Sequence, residues 1–203
     1  MIERIEIPIN GKNESVRMLL VVDPQVDFIN GSLPVPGAQE AMEALAEYIS
    51  ASDGKYALKV ITADRHPYDH CSFRRNGGQW PDHCVHDTVG ASVWPSVFEA
   101  VYSTSGVAVV LHKGESADRE EYSIFGNEAA AEELRDLIRR HGITEIDVCG
   151  LAGDVCVLST LRDAISLFPD CRFRVLLPYS PSLDDGATLS KFAEESGIAT
   201  KLG

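Results

Sequence analysis

Positive charge is scarce in this chain. Lys and Arg number 18 against 31 Asp and Glu, a formal net charge of -13. A surface of that sign repels a phosphate backbone and an anionic bilayer, so neither nucleic acid nor a membrane surface is an expected partner. Long apolar runs are missing as well, none approaching the roughly 20 residues of a membrane span. The opening MIERIEIPIN has neither the basic n-region nor the apolar h-region of a secretory signal. The expectation is a soluble, cytoplasmic protein. Cysteines are few, odd in number at five, and not spaced as in a small disulfide-stapled domain, which fits free thiols in a reducing compartment. Cys71, Cys149 and Cys171 read most simply as structural. Repeats, low-complexity tracts and linkers are absent too. What remains is 203 residues, 44% hydrophobic, enough for one well-buried domain and too few for two ordinary ones. Residues 1–203 are therefore expected to form a single domain, with 1–16 as an N-terminal arm or short strand ahead of the turn-forming Asn10-Gly11.

Aliphatic runs at 17–23, 56–63, 107–111, around Ile146, Val148 and Cys149, and at 172–177 have the composition of strands buried on both faces. Helical patterns fall between them, at 38–51, at 128–140, from Cys156 to the stop at Pro169, and at about 186–196, with a possible short strand at 198–202. This alternation predicts an α/β fold, a three-layer α/β/α arrangement around a doubly wound, mainly parallel sheet. Ligands in such sheets bind beyond the carboxyl ends of the strands. The polar residues that end the first four runs are Asp23, Asp64, Lys113 and the turn carrying Cys156, so all four are expected at one edge. The connection 65–93, rich in His, Gly and Asp, has the length of a functional loop.

Two sets of side chains carry chemistry. In the first, Cys156 is a nucleophile, Asp23 the acid/base that takes and returns its proton, and Lys113 the ammonium that stabilises both anions. Asp154 reads as an N-cap, which puts Cys156 in the first helical turn, where open N–H groups favour a thiolate. Each residue also has a plain structural reading: Asp23 as a turn former before Pro24, Lys113 as a solvated loop residue, Cys156 as a small buried thiol. His112 is expected to point away from Lys113, on the other face of its strand. In the second set, Asp64, His66 and His83 supply one carboxylate and two imidazoles, a donor set suited to zinc, iron or manganese. His70, His86 and His141 read as solvated or capping histidines, with His70 retained as a possible further ligand.

These residues stand in six ordered motifs: VVDPQVDF around Asp23, TADRHP around Asp64 and His66, WPDHCV around His83, HKG around Lys113, DREEYSIF at 118–125 and GLAGDVCV around Cys156. The chain thereby resembles the nicotinamidase/pyrazinamidase family of the isochorismatase-like cysteine hydrolase superfamily. The resemblance implies that Asp23, Lys113 and Cys156 form the catalytic triad. It implies that Asp64, His66 and His83 hold one divalent metal ion per chain, zinc first and iron or manganese as alternatives, which binds the pyridine nitrogen of nicotinamide. In part of the family a further His or Glu after the D-x-H is a ligand, and His70 is the nearest candidate. The resemblance also implies a cis peptide between Leu151 and Ala152, with the N–H groups of Ala152 and Cys156 facing the substrate carbonyl, and an aromatic pocket from Phe28, Trp80 and Tyr122. The implied activity is hydrolysis of nicotinamide to nicotinate and ammonia for NAD salvage, with pyrazinamide as a further substrate and a homo-oligomer as the possible assembly. Gly153 and Val155 depart from the family, which has a threonine and an aromatic there, so a wider pocket and a less rigid turn are expected. The alternatives are hydrolysis of another small amide or ureido compound, and a catalytically silent binding module on the same fold.

Overall fold

The run MLLVV is buried on both sides because its residues divide between two cores. Met18, Leu20 and Val22 enter one hydrophobic cluster, and Leu19 and Val21 enter the other. This run is β1 (Arg17–Val22), and in the computed structural model, which describes residues 15–200, it is the central strand of five. The others are β2 (Leu58–Asp64), β3 (Val107–Lys113), β4 (Glu145–Gly150) and β5 (Arg172–Val175). All pair in parallel, in the order β3-β2-β1-β4-β5.

Among the described residues six α-helices connect and cover the strands: α1 (Val26–Ile29), α2 (Ala38–Ala51), α3 (Pro95–Ser103), α4 (Glu128–Arg140), α5 (Leu158–Leu167) and α6 (Ala187–Glu195). Leu134 and Leu137 of α4, Leu161 of α5 and Leu189 of α6 pack on the Met18 side. Met42, Leu45 and Ile49 of α2 and Val97 and Val101 of α3 pack on the Leu19 side. Burial of each such side chain stabilises the fold by about 1.5–3 kcal/mol. The three-layer, doubly wound α/β/α arrangement is therefore the observed one. Strand order runs outward from β1 through β2 to β3, then returns to the other flank of β1 with β4. That reversal opens a crevice at the carboxyl ends of β1 and β4.

Helices α2 and α4 begin and end where the sequence pattern places them. The α3 helix was not anticipated, although Pro95 at its start and Val97, Ala100 and Val101 at helical spacing are its signals. It closes the long 65–93 connection against α2. The β3 strand runs two residues beyond the expected 107–111, so that His112 and Lys113 are still in the sheet; His112 is exposed and Lys113 buried, on opposite faces as expected. The short strand expected at 198–202 amounts, among the described residues, to one bridge between Arg174 and Ala199. Except for its last two residues, the expected 1–16 arm lies outside the described residues. Among the described residues no helix is long and apolar enough to cross a membrane.

Candidate active site

The nucleophile turn starts where β4 runs tight against β1. Gly150 has φ +123°, and a Cβ there would lie 2.0 Å from the carbonyl oxygen of Val22, so the position admits only glycine. The Leu151-Ala152 peptide that follows is cis. Gly153–Val157 then form a single π-helical turn, closed by the Val157 N–H donating to the Ala152 carbonyl at 3.1 Å. Such wide turns recur at functional sites. This corrects the N-cap reading of Asp154: its carboxylate accepts from the Leu183 N–H at 3.0 Å and the regular helix starts only at Leu158. Cys156 sits within the π turn, 6% exposed. Burial pushes its thiol well above the ordinary cysteine value, against the pull of the Lys113 ammonium. That shift favours the thiol over the thiolate, opposite to the preference expected for a first helical turn, so attack needs a base.

That base stands beside it. Asp23 directly follows β1 in a left-handed conformation (φ +47°) and is fully buried. Its Oδ1 accepts from the Thr62 hydroxyl at 2.6 Å. Its Oδ2 forms an ion pair with the Lys113 Nζ at 2.9 Å and, among the described residues, accepts no well-formed hydrogen bond. A carboxylate oxygen of Asp23 lies within 4.8 Å of the Cys156 Sγ. Burial and the Asp64 charge raise the Asp23 carboxyl above the usual range although Lys113 lowers it. Lys113 Nζ also donates to Asp64 Oδ1 at 2.6 Å and to Cys156 Sγ at 3.7 Å. Burial alone would lower the lysine, but two carboxylates outweigh it and hold the ammonium charged. For Asp64 burial is likewise overcome, by Lys113 and His66, and the carboxyl falls well below its ordinary value. The two sets read separately in the sequence are one cluster, joined by the Lys113–Asp64 ion pair.

The donor set of Asp64, His66 and His83 fits a metal ion. One ligand atom from each lies within 4.8 Å of the others, and all three residues are buried. His66 gives its Nδ1–H to the Gly114 carbonyl at 2.8 Å and His83 its Nδ1–H to the Pro81 carbonyl at 2.8 Å, so both Nε2 atoms present lone pairs. His66 Nε2 is buried without a hydrogen-bond partner, which a cation would satisfy. Gly114 has φ +69°, and a Cβ there would fall 2.4 Å from His66 Cε1. His70 is different, and it is neither solvated nor a cap. It is fully buried, stacked on His66 with ring centroids 4.0 Å apart. Its Nδ1 pairs with the Ser72 hydroxyl at 2.7 Å and its Nε2 with the Arg119 carbonyl at 3.1 Å, so no nitrogen is left for a metal. Burial and the neighbouring His66 hold it down to about 4.

Four supporting residues were not singled out from sequence. Gln25 clamps the backbone of Asp64, its Nε2 donating to the carbonyl at 2.8 Å and its Oε1 accepting from the N–H at 2.7 Å. Thr62 fixes Asp23. Asp27 accepts from the Cys84 N–H at 2.7 Å and the Ser32 N–H at 3.0 Å, tying the His83 loop to the loop after α1. Glu121 accepts from the Gly114 N–H at 2.7 Å, setting the carbonyl that orients His66. All four lie inside the quoted motifs, which was their only signal.

Phe28, Trp80 and Tyr122 line one pocket with Asp64, His83, Ala152 and Cys156. Tyr122 lines the cleft and also packs against the core, its hydroxyl accepting from Trp80 Nε1 at 3.1 Å. Glu120 enters the same pocket, its carboxyl raised by burial and by Asp64. The expected widening at Gly153 is not found, because a Cβ there would point at Ser182 Oγ (2.3 Å) and the Ser180 carbonyl (2.5 Å), away from the cavity. Val155 does line the pocket.

Comparison with known proteins agrees with this geometry. The Isochorismatase domain family matches residues 17–167. The nicotinamidase/pyrazinamidase of Mycobacterium tuberculosis is 37% identical over 192 residues, 92% of this chain and 98% of its own. The crystal structure of Pyrococcus horikoshii pyrazinamidase in complex with zinc superposes with a TM-score of 0.76 at 32% identity, covering 92% of this chain and 99% of that one. That of yeast nicotinamidase bound to the inhibitor nicotinaldehyde gives 0.79 at 27% identity, covering 92% and 100%. This chain belongs to the isochorismatase-domain hydrolases and, within them, to the nicotinamidase/pyrazinamidase family.

Proposed function

We propose that this enzyme hydrolyses nicotinamide to nicotinate and ammonia through a thioester on Cys156, with pyrazinamide as a second substrate. The observation that carries the reading is the buried Lys113 ammonium, which contacts Asp23, Asp64 and Cys156 together. Asp23 Oδ2 takes the thiol proton while Lys113 balances the charge that moves to sulfur. The sulfur attacks the carboxamide carbon. Negative charge on the carbonyl oxygen is met by the N–H groups of Ala152, which among the described residues donates no backbone hydrogen bond, and Cys156. As the C–N bond breaks, Asp23 returns its proton to the nitrogen and ammonia leaves. Asp23 then takes a proton from water attacking the thioester and passes it to the Cys156 sulfur as nicotinic acid departs, which loses its carboxyl proton to solvent to give nicotinate. Asp64, His66 and His83 would hold one divalent ion, zinc before iron or manganese, whose Lewis acidity supplies a seat for the ring nitrogen. Phe28, Trp80 and Tyr122 flank the ring. We read the chain as one domain of a cytoplasmic enzyme, with a homo-oligomer as the assembly to test.

The decisive experiment is ammonia release from nicotinamide by the metal-loaded protein and by Cys156→Ala. Loss of turnover by about 10⁴-fold or more with metal content unchanged is expected. A variant retaining wild-type activity would discard Cys156 as nucleophile.

A further inference from the structure

One side of the pocket comes from outside the six motifs. Leu183, in the loop between β5 and α6, lines the same cavity as Cys156, Asp64 and His83 and is a large apolar side chain left 42% exposed. Its backbone is fastened on both sides. The Gly153 N–H donates to the Pro181 carbonyl at 2.8 Å, and the Leu183 N–H donates to Asp154 at 3.0 Å, so residues 181–183 are strapped to the π turn that carries Cys156. On the other side Asp184 accepts from the Thr188 N–H at 2.9 Å and the Gly186 N–H at 3.1 Å, fixing the loop to the start of α6. The strap passes over Gly153 at a distance no side chain tolerates. The departure at Gly153 thus admits a neighbouring loop, and that loop delivers Leu183 to the cavity.

We infer that Leu183, held by the Gly153 strap, is a specificity-determining residue: its half-exposed side chain forms an apolar wall at the mouth of the substrate cavity, and so limits the enzyme to single-ring amides. This rests on the amide-hydrolase reading above. An apolar wall of one leucine sets discrimination on the order of 10-fold or more against added bulk. The test compares kcat/KM for nicotinamide, 5-methylnicotinamide and quinoline-3-carboxamide in wild type, Leu183→Ala and Gly153→Ala. Leu183→Ala should raise the bulky-to-nicotinamide ratio about 10-fold, through KM and with little change in kcat. Gly153→Ala, by displacing the strap, should shift the ratio in the same direction, and the double variant should add little to either. Calorimetric affinities for nicotinate and quinoline-3-carboxylate read the wall without turnover. A wild type inactive on every amide would discard the proposed reaction while the ratio of these affinities still judges the wall. Unchanged ratios in Leu183→Ala, or no binding of either acid to the wild type, would overturn the inference.

Discussion

Two lysines on adjacent strands are buried to the same degree, Lys59 at 1% exposure and Lys113 at 0%, and the sheet treats them in opposite ways. Lys59, near the amino end of β2, donates to the Thr104 carbonyl, the Thr104 hydroxyl and the Ser105 carbonyl. With neutral acceptors, burial lowers its basicity. Lys113, at the carboxyl end of β3, meets two carboxylates and a thiol, and its basicity rises. The same division runs through the rest of each end. Asp147 on β4 is fully paired, by the Tyr56 hydroxyl at 2.6 Å and Arg174 Nε at 2.9 Å. At the other end Asp23 Oδ2 and His66 Nε2, though in ionic contact with Lys113 and Asp64, are buried without a hydrogen-bond partner among the described residues. A buried polar group that is satisfied rigidifies the fold, and one that is not is held ready for a ligand or a proton.

Substitution tests this contrast. Lys113→Met should reduce nicotinamide turnover by about 10²–10³-fold and also cost about 3–5 kcal/mol of stability, because it leaves two buried carboxylates facing each other. Ammonia assays and urea unfolding measure the two effects. Gln25→Leu removes the clamp on Asp64 without touching any reactive atom, and metal affinity should fall about 10–100-fold in a chelator competition. Lys59→Met should do the reverse of Lys113→Met, costing about 2–3 kcal/mol in unfolding while kcat/KM stays within about twofold. Appreciable loss of turnover there would erase the distinction between the ends.

The smallest effect concerns pH. His70 has a native value of about 4 against an ordinary 6.5, so below pH 6.5 the unfolded chain binds a proton that the native ring refuses. Stability should therefore fall as pH drops through that window, by about 1–2 kcal/mol at pH 5. His70→Gln, compared with wild type after chelation, should flatten that part of the curve.

What the sequence disclosed follows the same line. Strand ends were legible because an aliphatic run that stops at a charged residue reports both burial and its limit, as at Asp23 and Asp64. The nucleophile turn was legible from its glycines, but not its geometry: the π turn delays the helix by several residues, so Asp154 looks like a cap when it holds Leu183. Gln25, Asp27, Thr62 and Glu121 were not legible because each acts on backbone or on a side chain 7 to 57 positions away. No local pattern encodes such a partner. His70 misled for a related reason, since its two acceptor and donor contacts are supplied by Ser72 and Arg119 only after folding.

The position where this matters most contains no reactive atom. Gly114 meets the His66 ring where a methyl group would sit, adopts a backbone angle few other residues accept, and offers the carbonyl that fixes the ring's tautomer. A survey of tolerated substitutions would therefore rank it with Cys156, although it takes part in no chemical step. In this enzyme, room for the imidazole is as strictly specified as the sulfur.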